Sequence, residues 1–393
     1  MSIDAVIVDV VHTPSGKGKE GGALAGVHPA DLFGGVIRDL LARNGIEGGQ
    51  VDDVIGGCVT QIGEQSTNIT RTAALSAGLP DTVPAVTIDR QCGSSQQAAT
   101  FAAQGVMTGM YDIVVAGGVE SMSRVKILSN AAGKKTWGSS LEERYPGGLV
   151  DQGISAELII AEWGLTRDDL DAFAARSHER AAAAAARGDF DDELVSVETE
   201  NGTFAADETI RPGTTVESLA GLRSAFHTDA FAERFPEARW QITAGNSSPL
   251  TDGASAALIM SEQRAAQLGL KPRARFHSFA VTGSDPLLML TGVIPATRRI
   301  LERSGLTLDE MDAYEVNEAF APVPIIWQRE LGADPEKLNS RGGAIALGHP
   351  LGATGAKLLA TLLNTLESTG GRYGLQVMCE GGGMANATII ERL

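Results

Sequence analysis

Runs of apolar, β-branched residues alternate along the chain with segments of helical periodicity. The segments AVIVDVV, DDVIGGCV, YDIVVAGGV and AALIM are typical of buried strands, and VTIDR is typical of a short strand. The segment PADLFGGVIRDLLARNG repeats its apolar residues at helical spacing and ends at Gly45. This alternation predicts an α/β fold in which helices cover layered sheets.

The middle of the chain, from Ser123 to about Gln241, has a different pattern. It consists mostly of polar connections and contains one clear helix, TRDDLDAFAARSHERAAAAAARG. Thr166 is placed to cap this helix, Asp169 to complete a capping box, and Gly188 to end it. We therefore predict an N-terminal half over residues 1–122, completed by about 249–272, an inserted loop domain over 123–248, and a C-terminal half over 273–393.

A faint internal repeat supports the division into two halves. DDVIGGCVTQ in the first half resembles MDAYEVNEAF in the second, and YDIVVAGGVESM resembles YGLQVMCEGGGMA. The separation of the two segments is comparable in each half. Gene duplication is therefore our hypothesis for the origin of the halves.

Charge and hydropathy limit the classes of partner. The 393 residues include 32 Lys and Arg against 49 Asp and Glu, a formal charge of −17, which disfavours binding to nucleic acid or to an anionic membrane. No segment has the roughly 18 consecutive apolar residues of a membrane span, and the start of the chain lacks the pattern of a signal peptide. We expect a cytoplasmic protein that acts on a small molecule.

The segment RQCGSSQQA places Cys92 between a short strand and a run of small residues. A lone free cysteine is most often a buried apolar side chain, and the chain's 3 cysteines suggest neither a disulfide framework nor a metal site. However, a cysteine at the start of the helix GSSQQAATFAAQGVMTG would lie near unpaired backbone N–H groups, which favour a thiolate. Cys92 is therefore a candidate nucleophile.

Three later segments offer the other groups that a thiolate nucleophile needs. YEVNEAFAP places Asn317 and Glu318 after a strand, GGAIALGHPLGATGA places His349 among glycines, and VMCEGGGMA places Cys379 before three glycines. Each also has a plain structural interpretation: Asn317 could cap a helix, His349 could be a turn residue, and Cys379 could be a core residue. Together they indicate a base, an oxyanion donor and a second thiol.

In order and wording, these segments resemble the motifs of the thiolase family. That family has a nucleophilic cysteine in a C-[SG]-S segment, then NEAF, then GGAIALGHPxGxxG, and a C-x-G motif near the C-terminus. The family segment TAGNxSxxxDGA also has a counterpart, TAGNSSPLTDGA, so the resemblance covers essentially the whole chain. It implies the thiolase fold: two duplicated βαβαβαββ halves that form a layered α-β-α-β-α core with an inserted loop domain.

The resemblance also implies the reaction and the role of each residue. Thiolases cleave a 3-ketoacyl-CoA with CoA to acetyl-CoA and a shortened acyl-CoA, or run the reverse condensation. Cys92 would attack the 3-keto carbon, His349 would take its proton, and Cys379 would protonate the departing carbanion. One oxyanion hole would combine His349 with a water held by Asn317, and the other would use the backbone N–H groups of Cys92 and Gly381.

Coenzyme A is the co-substrate that the resemblance implies, and we expect neither a permanently bound cofactor nor a metal. A G-x-G-x-x-G pattern at Gly16 does not follow its strand directly, which argues against a dinucleotide site. CoA should contact the inserted domain and the NEAF segment. The expected CoA contacts are Arg211, Ala244, Ser248, Ala319 and Phe320.

The segment that starts at Asp151 bears on the substrate range. Thiolases specialised for acetoacetyl-CoA usually have His-Met-Gly where this chain has Asp151, Gln152 and Gly153, and several segments look like those of actinobacterial degradative members. We favour a degradative thiolase of fatty acid or steroid β-oxidation over a biosynthetic acetoacetyl-CoA thiolase. A non-catalytic thiolase-like binding subunit is a third alternative, which the retained nucleophile and histidine disfavour.

The family forms dimers that commonly pair into tetramers, so we expect at least a homodimer and favour a homotetramer built as a dimer of dimers. Segment 123–150 carries a local charge of about +3 in a strongly acidic chain. A solvated loop would explain this charge. The alternative is that these cations border a CoA phosphate or a subunit contact.

Overall fold

The structure is a computed structural model, and it describes residues 4–393. The strands predicted from the apolar runs are all present. The strands are β1 Ala5–His12, β2 Gly16–Lys17, β3 Asp53–Gly57, β4 Ala85–Ile88, β5 Ile113–Ser121, β6 Val197–Thr199, β7 Gly202–Phe204, β8 Thr251–Ser261, β9 Ala274–Gly283, β10 Ala313–Val316, β11 Tyr373–Glu380 and β12 Met384–Arg392.

Helices connect and cover these strands. They are α1 Pro29–Arg43, α2 Ile69–Ser76, α3 Ser94–Met107, α4 Ser139–Arg144, α5 Gln152–Trp163, α6 Arg167–Arg187, α7 Val216–Ala220, α8 Asp229–Arg234, α9 Glu262–Gln267, α10 Val293–Ser304, α11 Pro322–Leu331, α12 Ala344–Leu347 and α13 Thr354–Thr369. Short 3-10 helices occur at Gly48–Gln50, Gly63–Gln65, Ser129–Ala131 and Met289–Gly292.

The main sheet is made of two halves with the same arrangement. Its order is β10-β11-β12-β9-β1-β8-β5-β3-β4, and β1 meets β9 over only the pairs Val6–Arg275 and Ile7–Ala274. On one side of this junction β3 is parallel to β5, and β8 is antiparallel to both β5 and β1. On the other side β10, β11, β12 and β9 repeat this pattern. The segments that resemble each other in sequence, β3 with β10 and β5 with β11, hold equivalent positions.

Helices form three layers around the two halves of the sheet. Helices α1 and α2 pack on the N-terminal half, and α10 packs on β9 and β12 of the C-terminal half. Helices α3 and α13 pack on each other and on strands of both halves, so they form the central layer. Every residue of α13 from Thr354 to Leu366 is buried. The predicted layered α/β fold is therefore confirmed.

The segment between β5 and β8 contains the small antiparallel pair β6–β7 and helices α4 to α8. Helix α6 has the predicted ends, because Thr166 and Asp169 form a capping box and Gly188 ends the helix at a φ of 76°. The exact boundaries of the three predicted parts stay a prediction. Among the described residues, no helix is both long and apolar enough to cross a membrane.

Candidate active site

A strained loop presents Cys92 just before α3. Gln91 has a φ of 49°, a left-handed conformation that is unfavourable for a residue with a side chain. Local hydrogen bonds hold it: its backbone N–H donates to Asp89 Oδ1 over 2.7 Å, and Ser94 Oγ donates to its carbonyl over 2.6 Å. Gly93 is the N-cap, so the helix begins where the sequence predicts.

The environment of Cys92 is apolar and almost closed to solvent. The residue is 2% exposed and packs with Val59, Met122, Leu351, Leu358 and Met378. Burial, followed by the neighbouring Cys379, raises the pKa of the Cys92 thiol above its usual range. Burial therefore opposes the thiolate that we expected the helix start to favour. The thiol must lose its proton to a base as it reacts.

His349 is a neutral base with a defined tautomer. Its Nδ1 lies 2.7 Å from Thr354 Oγ1, and this hydroxyl donates its own proton to the Pro350 carbonyl over 2.8 Å. Nδ1 must therefore carry the ring proton, and Nε2 accepts a hydrogen bond from Asn317 Nδ2 over 3.4 Å. Burial, and then the charge of Lys357, lowers the pKa of His349 to about 3. The lone pair of Nε2 is available to take a proton.

Two buried glutamates hold the loop that carries His349. Glu318 accepts hydrogen bonds from Ser177 Oγ over 2.6 Å and from the Ile345 N–H over 3.2 Å, before the histidine. Glu120 accepts the Gly352 N–H over 2.9 Å, after it. Because both carboxylates have several donors, burial does not leave them unsatisfied, and the loop is fixed at both ends.

The sheet topology brings Asn317 and Cys379 to one place. Asn317 directly follows β10, Cys379 lies near the end of the parallel neighbour β11, and the Asn317 N–H donates to the Val377 carbonyl over 3.0 Å. Cys379 is fully buried, and burial raises its pKa to about 12, against the effect of a hydrogen bond from Asn317. Its thiol is therefore a proton donor at neutral pH.

Gly381 places the chain after β11 against the loop before α3 that carries Gln91 and Cys92, the nucleophile loop. A Cβ at this position would lie 3.0 Å from Gln91 Oε1 and 3.3 Å from Gln152 Nε2. The predicted catalytic residues Cys92, His349, Cys379, Asn317 and Gly381 thus form one cluster at the carboxyl ends of β10 and β11 and the start of α3. Their individual roles stay a prediction.

The residues predicted to contact CoA lie in three places. Ser248 donates its backbone N–H to the Ala319 carbonyl over 3.0 Å, and the neighbouring Ser247 forms an isolated antiparallel β-bridge with Phe320. Ala244 lines a surface cleft together with residues 222–225. Arg211 is exposed and directly precedes residues 212–215, which line a second cleft. CoA contact with any of these residues stays a prediction.

Sequence reasoning missed three side chains of this site. Thr354 fixes the histidine tautomer, Gln152 donates from α5 to the Cys92 sulfur over 3.9 Å, and Glu380 lies buried beside Gly93. In the sequence, Gln152 is notable only because it departs from the His-Met-Gly motif of acetoacetyl-CoA thiolases. The signal for Glu380 was a charged residue at the end of the mostly apolar run YGLQVMCE, where a buried charge needs a special environment.

Comparisons with known proteins agree with this geometry. Residues 5–263 match the family model for the thiolase N-terminal domain, and residues 270–392 match the model for the thiolase C-terminal domain. The steroid 3-ketoacyl-CoA thiolase of Mycobacterium tuberculosis is 49% identical to this chain, and the match covers 99% of this chain and 94% of that protein. The 3-ketoacyl-CoA thiolase of Bacillus subtilis is 43% identical, with 99% of each chain covered.

A solved structure shows the same fold over the whole chain. The crystal structure of the Bacillus anthracis acetyl-CoA acetyltransferase superimposes with a TM-score of 0.88 at 37% identity, covering 100% of this chain and 99% of that chain. The family models together span nearly all described residues. This chain belongs to the thiolase family.

Proposed function

We propose that this protein is a degradative 3-ketoacyl-CoA thiolase. It cleaves a 3-ketoacyl-CoA with CoA, releasing acetyl-CoA and an acyl-CoA shortened by two carbons. The observation that supports this most is the grouping of a buried thiol, a neutral imidazole whose Nε2 carries no proton and a second protonated thiol in one cluster at the carboxyl ends of β10 and β11. Carbon–carbon cleavage beside a thioester needs a nucleophile, a base and a proton donor, and these three groups supply them.

The first half-reaction forms an acyl-enzyme. Cys92 Sγ bonds to the 3-keto carbon while its proton passes to His349 Nε2. The bond between C2 and C3 then breaks, and its electron pair leaves as the enolate of acetyl-CoA, which takes a proton from Cys379. The enolate oxygen needs donors, which contribute about 3–4 kcal/mol each in acyl-transfer enzymes. A water held by Asn317 and, after proton transfer, His349 serve this oxygen.

The second half-reaction transfers the acyl group to CoA. Cys379, now a thiolate, takes the proton of the incoming CoA thiol, and the CoA sulfur attacks the thioester carbon. The tetrahedral oxygen lies between the backbone N–H groups of Cys92 and Gly381. The C–S bond to Cys92 then breaks, and the Cys92 thiolate recovers its proton. CoA is a co-substrate, and the reaction requires no resident cofactor.

The substrate is an acyl-CoA whose acyl chain is longer or bulkier than acetoacetyl. The side chains that pack on Cys92 are apolar, so they favour a desolvated hydrocarbon group. Its relative from Mycobacterium tuberculosis is named a steroid 3-ketoacyl-CoA thiolase, and this supports a fatty acid or steroid degradation product. The similarity to an acetyl-CoA acetyltransferase keeps biosynthetic condensation of two acetyl-CoA molecules as the second candidate.

We further propose that the protein acts in the cytoplasm as a homotetramer, a dimer of dimers. The family's usual assembly supports this. CoA lies along Ser248, Ala319 and Phe320, with its adenine end toward Arg211 and with Ala244 beside the pantetheine chain. Mass photometry of the purified protein would test the assembly, and a single species at monomer mass would contradict it.

A panel of substrates tests the proposed function. Steady-state rates are measured with CoA and 3-ketoacyl-CoA substrates from C4 upwards, including one with a bulky cyclic acyl group, and acetyl-CoA is quantified as product. We expect kcat/KM to rise beyond C4. A sharp optimum at C4 would favour the biosynthetic alternative, and no turnover of any member would favour a binding subunit.

A further inference from the structure

We propose that Gln152 is a further catalytic residue, whose side-chain amide donates a hydrogen bond to Cys92 Sγ and stabilises the thiolate form of the nucleophile. The inference rests on the proposed function only in taking Cys92 as the nucleophile. Gln152 belongs to the inserted segment, so that segment contributes a catalytic side chain in addition to the CoA contacts proposed for it.

The contact is direct and aimed at the reacting atom. Gln152 Nε2 lies 3.9 Å from Cys92 Sγ, within the range for a donor to sulfur. The hydrogen bonds within residues 4–393 include no other side-chain donor to this sulfur. A Cβ at Gly381 would lie 3.3 Å from the same nitrogen. The amide therefore lies between the nucleophile and the glycine whose N–H is the expected oxyanion donor.

The start of α5 is held firmly, so Gln152 is fixed in place. Asp151 caps the helix, because its Oδ1 accepts the Ile154 N–H over 3.0 Å. Phe226 packs so closely on the next residue, Gly153, that a Cβ there would come within 2.2 Å of the ring. An amide positioned before the reaction stabilises developing charge without the cost of reorganisation.

Such a donor meets a specific need of this site. Burial disfavours the Cys92 thiolate, and His349 is also buried and neutral, so no full positive charge stands beside the sulfur before proton transfer. A hydrogen bond to a charged group is stronger than one to a neutral group. Gln152 gives up no proton: the Cys92 proton passes to His349 Nε2 on attack, and the amide stabilises the sulfur again when the acyl group leaves.

The pH dependence of Cys92 alkylation measures this effect without any substrate. The free enzyme is treated with limiting iodoacetamide from pH 6 to 10.5, and the labelling rates of the peptides containing Cys58, Cys92 and Cys379 are followed by mass spectrometry. The variants are Gln152→Met, of similar size without a donor, and Gln152→Glu, of the same shape with a carboxylate. Gln328→Met, a partly buried glutamine on α11 that bonds a loop carbonyl, is the matched control.

The other titratable residues around Cys92 are not substituted in these variants. They are Cys379 and Glu380 on β11, His349 before α13, and Asp89 and Arg90 in the nucleophile loop. A shift between wild type and Gln152→Met therefore reports the amide, whereas the shift in Gln152→Glu also includes the charge of the new carboxylate.

We expect Gln152→Met to raise the apparent pKa of Cys92 labelling by about one unit and to slow labelling at pH 7.5 about tenfold, as loss of a hydrogen bond to a charged group predicts. Gln152→Glu should raise the pKa further, because a carboxylate repels the thiolate. Gln328→Met should leave the profile unchanged. An unchanged profile in Gln152→Met, or in Gln152→Glu where Gln152→Met does not fold, would overturn the proposal.

The same measurement separates this proposal from the proposed function. If the profile shifts as expected but the wild type cleaves no 3-ketoacyl-CoA, the role of Gln152 at the thiol stands and the thiolase proposal fails. If cleavage is normal and the profile does not move, only the role of Gln152 fails. Gln152→Glu adds an acidic residue to the first turn of a helix, which is favourable, so this variant keeps the test available if Gln152→Met does not fold.

Discussion

The hydroxyl of Thr354 accepts a hydrogen bond from Nδ1 of His349 over 2.7 Å and donates its own proton to the Pro350 carbonyl. Thr354 is the first residue of α13, the helix that forms part of the central layer. The central layer thus reaches Nδ1 of the ring, and the proton held there leaves Nε2 as the nitrogen that can accept a proton. Because the tautomer is fixed before substrate binds, the imidazole is already in the form that can accept a proton at Nε2.

Replacing Thr354 by Val should lower kcat/KM for 3-ketoacyl-CoA cleavage about tenfold, because the ring loses the acceptor that holds its proton on Nδ1. Thr354→Ser should recover most of the activity. The matched control is Thr365→Val on the same helix, since the Thr365 hydroxyl is buried and has no hydrogen-bond partner among the described residues. Equal losses in Thr354→Val and Thr365→Val would contradict the role of Thr354.

Glu380 should make the protein less stable as the pH rises. It is fully buried, and neither carboxyl oxygen has a hydrogen-bond partner within residues 4–393. Burial raises its pKa to about 8, with Arg90 opposing and Asp89 adding to the shift. The unfolded chain releases this proton near pH 4.5, so the folded state binds more protons between the two values. The stability contributed by the neutral carboxyl is complete below pH 4.5 and is lost as the pH rises to about 8.

Replacement of Glu380 by Gln removes this dependence. We expect the variant and the wild type to melt at similar temperatures at pH 5, and the variant to melt about 2–4 °C higher at pH 8.5. Differential scanning fluorimetry across this range measures it, with the exposed Glu302→Gln on α10 as the control. A constant difference at all pH values would show that Glu380 is not protonated in the folded protein.

The two cysteines of the site should differ in the steps that they serve. Breaking the carbon–carbon bond expels a basic carbanion, which needs a proton donor, whereas acylation of Cys92 by a simple acyl-CoA expels only a thiolate. Cys379→Ala should therefore lower cleavage by about 10²–10⁴-fold and lower acylation far less, while Cys92→Ala abolishes both. Loss of 3-ketoacyl-CoA absorbance and mass-shift acylation measure the two steps. Equal losses for Cys379→Ala would mean that it serves both alike.

The basic loop 123–150 offers a test of CoA binding and assembly. Lys134 and Lys135 are exposed, and Lys135 pairs with Glu142 and lies 5.9 Å from the centre of the Trp137 ring. If this loop borders a CoA phosphate, changing both lysines to Ala should weaken CoA affinity about three- to tenfold and reduce its salt dependence. If it lies at a subunit contact, the oligomer mass should fall. If CoA affinity, its salt dependence and the oligomer mass all stay unchanged, the loop is solvated and has neither role.

Local patterns in the sequence predicted most of the fold. The apolar runs gave the strands β1, β3, β5 and β8, and the capping residues Thr166 and Gly188 marked both ends of α6, because these signals act over a few residues. The internal repeat indicated the two halves, in which four strands have the same order and directions, while β4 extends the N-terminal half alone.

The electrostatics of the site could not be predicted in this way. The helix start that led us to expect a Cys92 thiolate is a local feature. Burial of Cys92 depends on the tertiary fold, because it involves Met122 after β5, Leu358 on α13 and Met378 on β11. The contacts of His349 with Asn317 and of Cys92 with Gln152 join residues 32 and 60 positions apart. No periodicity or motif spacing reports such distances, and only the family resemblance had placed His349 and Asn317 together.

The central claim is that Cys92 carries the acyl group between the two half-reactions. The most direct measurement is intact-protein mass spectrometry after incubation with a 3-ketoacyl-CoA in the absence of free CoA. We predict a mass increase equal to the shortened acyl group, located on the peptide that contains Cys92, absent in Cys92→Ala and removed when CoA is added. An adduct on another residue, or turnover to acetyl-CoA without any adduct that CoA can discharge, would contradict this account.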